Sequence, residues 1–463
     1  KLDWIWESAP IRNGTPPGLL RGNRMHHPMR LRALITALVL ATSGMAEAAS
    51  PTEIEAVYAE TLRPFTGSRA SGVDASTMQG KVLCGYQGWF NAEGDGARRG
   101  YHRWTKNGGA LNPGNAKIDL WPDLSELGPD ERFPTDLRHA NGRTAEVFSS
   151  FNRATVLRHF EWMQKYGIDG GFVQRFIGPL HDVHNLRHNN VVLDHCREAA
   201  NRSGRVYAVM YDLSGLGANR IDEVTADWQQ LRTRMRVTAD PAYLRHRGRP
   251  VVVVWGVGFG KDRAYTVAEC NHLVRQLKAD GCTVMLGVPT GWRTLDRDSV
   301  ADPALHAVVQ LADVVSPWTV GRYTSPAEAS QHCRDVWEPD IAWCRERGLD
   351  YLPVAFPGFS WGNMKGQAFN RVPRERGQFL WSQFMAAKQA GCQMVYIAMF
   401  DEVDEATAIF KCTNDPPVSS GDQFLTYEGL PSDFYLRLTG DGGRLLRGET
   451  ERQAIELNAE PPP

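Results

Sequence analysis

Gln393-Met-Val-Tyr-Ile-Ala-Met-Phe400 runs directly into Asp401-Glu-Val-Asp-Glu405. The first part is apolar and β-branched or aromatic in character, without the alternation of a strand wetted on one face. It therefore reads as a strand buried on both faces. Four acids then crowd the five positions that follow. Carboxylates held this close repel one another, so the segment is either a solvated acidic turn or a site that uses them. Acid/base chemistry on a sugar is one such use.

Seven further runs of the same kind precede this one. Together the eight cover residues 81–88, 170–176, 206–213, 250–256, 282–288, 313–318, 351–356 and 393–400. Helical patterns separate most of them, at 154–166, 191–200, 223–236, 266–278, 326–345 and 374–389, and another lies ahead of the first run at 52–62. Gly167, Gly281, Gly348 and Gly391 stand where helix C-caps should be. Eight buried strands alternating with helices predict an α/β chain folded as a (β/α)8 TIM barrel. The first strand-to-helix connection, 89–153, is long and rich in Gly, Pro, Trp and Asp, and reads as an insertion that serves the site. A doubly wound sheet is the runner-up, but Gly256-Val-Gly-Phe-Gly260 lacks the third glycine of a dinucleotide loop at the right offset.

The chain has 463 residues, 42% hydrophobic and 23% charged, which is ordinary for a folded domain. Met25 or Met29 opens a segment with Arg30 and Arg32, a short apolar core at 34–40 and Ala46-Glu-Ala48, which reads as an export signal cleaved after Ala48. Residues 1–24 read as an upstream extension foreign to the fold, 49–440 as one barrel domain, and 441–463 as a polar, proline-ended tail that frays. Residues 1–48 hold six of the 52 basic and three of the 53 acidic residues, so the remainder carries a net charge of −4. A mildly acidic chain offers no basic footprint for nucleic acid. Beyond the signal no apolar run is long enough to span a bilayer. The expectation is an exported protein, secreted or periplasmic, monomeric, with an oligosaccharide or polysaccharide as its partner. The eight cysteines show no CxxC spacing; disulfides are permitted in such a compartment, and free buried thiols are the plainer reading.

In a barrel of this kind the chemistry sits at the C-terminal ends of the strands. There the sequence places Tyr86, Gln87 and Trp89 after strand 1, with His102 and Trp104 in its loop. Arg175 ends strand 2, Tyr211 and Asp212 strand 3, Trp255 strand 4 and Trp318 strand 6, and Phe359 and Trp361 follow strand 7. Rings that stack on sugar faces, beside polar groups that hold hydroxyls, suit a carbohydrate site, although any single tryptophan is more simply core. Glu402 and Glu405 are the candidate catalytic pair: three-residue spacing on a helical turn would set both on one side. Asp401 and Asp404 would face away and hold the loop. No metal or other cofactor is expected; a calcium site built from Asp401, Asp404 and Glu405 is the weakest alternative.

The segment Phe400-Asp-Glu-Val-Asp-Glu-Ala-Thr-Ala-Ile-Phe410 resembles the hallmark of glycoside hydrolase family 99, the endo-α-mannosidases and endo-α-mannanases, an FNEWHEGTQIE-type sequence closing the last barrel strand. Gly85-Tyr-Gln-Gly-Trp-Phe90 and Gly100-Tyr-His-Arg-Trp104 resemble that family's first-strand segment and the YxHW that follows it. Tyr166-Gly-Ile-Asp-Gly170 is similar to its AGIDG, and Pro357-Gly-Phe359, Trp361-Gly-Asn363 and Asn370-Arg371 with Gly377 resemble the stretch before its last helix. The resemblance implies a (β/α)8 barrel and a retaining, endo-acting α-glycosidase. It implies Glu402 as the base toward the sugar's 2-hydroxyl, giving a 1,2-anhydro sugar intermediate, and Glu405 as general acid/base, with His102 and Trp104 lining the donor-sugar site. The chain departs from the pattern at Asp401, where the family has Asn, and at Val403-Asp404, where it has Trp-His. An α-1,3-glucanase-like hydrolase from the looser set around families 71 and 99, and a non-catalytic glycan-binding barrel, are the alternatives.

Overall fold

All eight apolar runs form strands in the computed structural model, which describes residues 49–451 and 454–455. They are β1 (Val82–Tyr86), β2 (Gly170–Phe176), β3 (Val206–Asp212), β4 (Arg249–Trp255), β5 (Thr283–Val288), β6 (Val314–Pro317), β7 in two pieces (Asp350–Tyr351 and Val354–Ala355) and β8 (Val395–Ile397). The segment 25–48, expected to be an export signal, and residues 1–24 lie outside the described residues.

The strands pair in parallel in chain order, and β8 returns to β1 with Val82 opposite Val395. Closure depends on the broken β7. Its first piece pairs with β6 and its second with β8. Pro353, in the break, has no N–H to give a ladder. Its carbonyl still accepts from Tyr396 N at 3.0 Å, while Leu352 N donates to Val315 O at 2.9 Å. The chain thus crosses from one neighbour to the other, and the sheet closes into the (β/α)8 barrel. The strands are buried along nearly their whole length, which is why they carry no alternation.

Helices follow each strand: Arg153–Lys165, Val183–Ser203, Asp222–Gln230, Val267–Ala279, Ala304–Leu311, Pro326–His332 with Glu338–Glu346, Gln378–Gln389 and Phe434–Arg447. The last of these corrects the sequence reading, which ended the domain at residue 440. The helix runs on through Gly440, Gly442 and Gly443 to Arg447, inside the stretch read as a polar, proline-ended tail. The three glycines are buried, and they let the eighth helix come close to its neighbours. A Cβ on Gly440 would fall 1.9 Å from the Tyr166 carbonyl oxygen, and one on Gly442 2.4 Å from the Phe384 ring.

The long connection after β1 contains a two-stranded antiparallel hairpin, Phe133–Arg138 with Thr144–Val147. It folds over the loop that follows β8: Asp119 N and Leu120 N both donate to Val403 O, at 3.0 and 3.2 Å. All eight cysteines are buried as free thiols.

Candidate active site

Glu402 and Glu405 stand in the loop after β8, on a turn over residues 403–406 rather than the first turn of a helix. Thr407 N and Ala408 N close it by donating to the Glu402 carbonyl, each at 3.1 Å. Ala406 takes a left-handed φ of 52°, which costs a residue with a Cβ roughly 1–2 kcal/mol. Arg374 secures this conformation. Its Nη2 donates to the Ala406 and Ala408 carbonyls, both at 2.8 Å, and its guanidinium lies 4.8 and 4.5 Å from the Tyr427 and Tyr435 ring centroids. Asp401 anchors the other end. Its two oxygens accept from Gln87 N and Gly88 N, each at 2.8 Å, fastening the β8 loop to the mouth of β1.

Both glutamates line one cavity of about 260 Å³ at the barrel mouth, and Asp401 and Asp404 do not. Glu402 is buried. Its Oε1 accepts from Gln87 Nε2 at 3.0 Å and its Oε2 from Thr407 Oγ1 at 3.2 Å. Burial, then the Glu405 and Asp404 carboxylates, raises the Glu402 pKa well above its ordinary value. Burial, with Asp404 next, pushes Glu405 up to about 7, against the pull of Trp361, Arg103 and Lys117. The Trp361 indole N–H approaches Glu405 without forming a well-aligned hydrogen bond. Asp404 is fully buried with neither oxygen hydrogen-bonded, and Arg103 Nη1 is 3.7 Å away. Two neighbouring buried carboxyls do not ionise together easily, so the pair holds a proton near neutrality.

Gln87, Trp89, Asp212, Trp255, Trp318, Phe359 and Trp361 line the same cavity. Trp89 stacks on Phe176 at 5.4 Å, and Arg103 lies over its ring, 3.5 Å from the centroid. Trp255 meets Trp318 edge-on at 5.4 Å, and Phe359 meets Trp361 at 5.0 Å. Asp212 caps the turn after β3 by accepting from Ser214 N at 2.7 Å, and burial raises its pKa to about 6.

Five expected residues lie elsewhere. Tyr86, Arg175 and Tyr211 fail for one shared reason. Successive side chains on a strand point to opposite faces, and these three point outward into the helix layer. Tyr86 Oη meets His159 Nδ1 at 2.9 Å. Arg175 Nε donates to Asp227 Oδ2 at 2.6 Å and its Nη2 to Asn190 Oδ1 at 2.8 Å. Tyr211 Oη donates to the same Asp227 oxygen at 2.7 Å. Their neighbours Gln87, Gln174, Phe176 and Asp212 face the cavity instead. Trp104 is core, fully buried and 4.4 Å from the Phe90 ring. His102 is exposed and stands outside the cavity lining.

Side-chain parity at the strand mouths would have found Gln174 and Phe176. The site also contains Arg103, Lys117, Met364, Lys365, Arg371 and Met399. Except for Met399, inside the β8 run, these come from connections with no periodic signal, Met364 and Lys365 from the four-residue helix Gly362–Lys365. Gln174 Nε2 donates to Tyr396 Oη at 3.3 Å on the lumen side of β8.

No protein-family model matches the sequence, and no curated protein matches it. Among solved structures, the GH99 endo-α-mannosidase from Bacteroides thetaiotaomicron matches with a TM-score of 0.57 at 15% identity, over 80% of this chain and 99% of that one. The same enzyme in complex with Bis-Tris-propane matches with a TM-score of 0.55 at 15% identity, over 81% and 99%. At this identity the likeness is one of fold, and the fold is that of the family whose last-strand segment residues 400–410 resemble: the chain shares the (β/α)8 barrel of a GH99 endo-α-mannosidase.

Proposed function

We propose that the protein is an exported, retaining, endo-acting α-glycosidase that hydrolyses an α-linked polysaccharide or glycan of the α-mannan type. The observation that carries this reading is the pair Glu402 and Glu405. Both are carboxyls with raised pKa values on the wall of one aromatic-lined cavity at the barrel mouth. Paired carboxyls beside stacking rings suit glycosidic cleavage. The shared barrel with GH99 endo-α-mannosidase supports the reading, and the segment 25–48 supports export.

In this reading Glu402 takes the proton from the sugar's 2-hydroxyl as that oxygen attacks the anomeric carbon, and Glu405 protonates the departing glycosidic oxygen. Glu405 then removes a proton from water as it opens the 1,2-anhydro ring, and Glu402 returns its proton to the 2-oxygen. Two inversions give net retention. The empty cleft favours the shared proton on Glu402, the more deeply buried of the two. A bound 2-hydroxyl donating to Glu402 stabilises its anion and moves the proton to Glu405, so substrate itself arms the acid. Gln87 fixes the Glu402 carboxyl throughout.

The test is a panel of α-mannans and α-glucans, with NMR of the anomeric configuration of the first product. The expected result is retained configuration, with turnover abolished in Glu402→Gln and Glu405→Gln. Undiminished turnover in either variant, or an inverted product, would refute the reading.

A further inference from the structure

Cations line the cavity beside the acids, and two of them stand apart. Lys106 Nζ is 3.1 Å from Asp422, Arg322 Nη2 is 2.9 Å from Asp298, and Arg103 Nη1 is 3.7 Å from Asp404. The ammonium groups of Lys117 and Lys365 have no ion pair or hydrogen bond among the described residues. They come from different loops, the insertion after β1 and the loop after β7. A buried carboxylate two residues from Lys117 binds those loops together. Asp119 accepts from Ser360 Oγ at 2.5 Å and from Gly362 N and Asn363 N, each at 2.7 Å. Asn363 Nδ2 returns a bond to Ile118 O at 2.7 Å.

The fold therefore places both cations in the lining of one cavity, where Lys365 is among the charges that act on Lys117. Burial first, then Arg103, depresses the Lys117 pKa to about 8, and Lys365 adds to the effect. The carboxyls that act on Lys117 most strongly are Asp404 and Glu405. Glu405 must carry a proton to act as the acid, and Asp404 already faces Arg103. An anion in the cleft would offset the mutual repulsion of the two ammonium groups and the desolvation of Lys117, which neutral sugar hydroxyls would not.

We infer that the glycan taken by this cleft carries an anionic substituent, with carboxylate, sulfate or phosphate oxygens seated against Lys117 and Lys365. This rests on the α-glycosidase reading of the same cleft and adds the charge of its substrate.

The experiment titrates the Glu402→Gln protein calorimetrically with three α-linked oligosaccharides bearing a uronate, a sulfate ester or a phosphate ester, each beside its uncharged counterpart. At least one charged member should bind about tenfold tighter or more, as expected for a charge-assisted contact. Which one does so identifies the source of the anion. The preference should shrink in Lys117→Met and in Lys365→Gln on the Glu402→Gln background, and in concentrated salt. Lys365 is exposed, so Lys365→Gln is expected to fold, with thermal unfolding as the check. Equal binding within all three pairs, or a preference that survives in both lysine variants, would overturn the inference. Wild-type turnover separates the two readings. Hydrolysis of α-glycans without charge preference sinks the anion site alone. Preferential binding with no hydrolysis of any α-glycan sinks the glycosidase reading alone.

Discussion

Replacing Glu405 by Gln should stabilise the folded protein at alkaline pH while it abolishes turnover. Glu405 has its pKa raised from 4.5 to about 7, chiefly by burial. A raised acid binds its proton more tightly folded than unfolded. Stability is therefore greatest below the unfolded value of 4.5, declines as pH rises toward about 7, and levels off above it. At 1.36 kcal/mol per pH unit, the full cost at pH 8 is about 3 kcal/mol. Glutamine occupies the same volume without charge. The raised pKa already includes the attraction to Arg103 and Lys117, so a net gain approaching about 3 kcal/mol is expected. For a chain of this size that corresponds to roughly 2–3 °C in Tm, from an unfolding entropy of about 2.1 cal/mol/K per residue. The assay is thermal unfolding of wild type and Glu405→Gln at pH 4.5 and pH 8. The variant should melt higher at pH 8, with the gap largely closed at pH 4.5. A variant that melts lower at pH 8, or is stabilised equally at both pH values, would refute the argument that burial strains this carboxylate.

The working pair carries one proton, held by Glu402 until substrate moves it, so kcat/KM should rise as pH climbs through about 7, where Glu405 gives up the second proton, and Asp404→Asn, which removes a charge that raises Glu405, should move that limb to lower pH by about half a unit or more; a shift to higher pH would contradict the coupling. Arg374→Met should cost about 2–4 kcal/mol in denaturant unfolding, because two carbonyls of the catalytic turn lose their donor, and Arg374→Lys should recover only part of it. Gly440→Ala should destabilise the protein by about 1–3 kcal/mol, since the new Cβ meets the Tyr166 carbonyl; an unchanged midpoint would mean that the last helix does not hold its place in the barrel.

The strands were legible because a strand buried on both faces announces itself by composition: all eight runs are found where the apolar residues cluster. The split in β7 was not, since Pro353 inside an apolar run says nothing about which neighbour each half serves. The eighth helix was cut short because the polar, proline-ended stretch that follows it drew the boundary at residue 440, whereas Gly440 and Gly442 pack closely against Tyr166 and Phe384 and carry the helix on to Arg447. At the site, the residue types were legible and their directions were not. Tyr86, Arg175 and Tyr211 were chosen for their chemistry one position away from those that face the cavity. Lys117 and Lys365 were invisible because the segments that carry them are joined by the hydrogen bonds of Asp119 across more than two hundred residues of chain.

Those hydrogen bonds have a consequence for altering the protein. The rim that Asp119 ties together cannot be exchanged one loop at a time. A transplant of the insertion after β1 without the segment around Ser360 and Asn363 would leave a buried carboxylate facing no donors, and the reverse graft would strand three donors with no acceptor. Recognition in this barrel is inherited as a matched pair of loops, so a chimera that changes what the cleft accepts must carry both or it will lose the rim altogether.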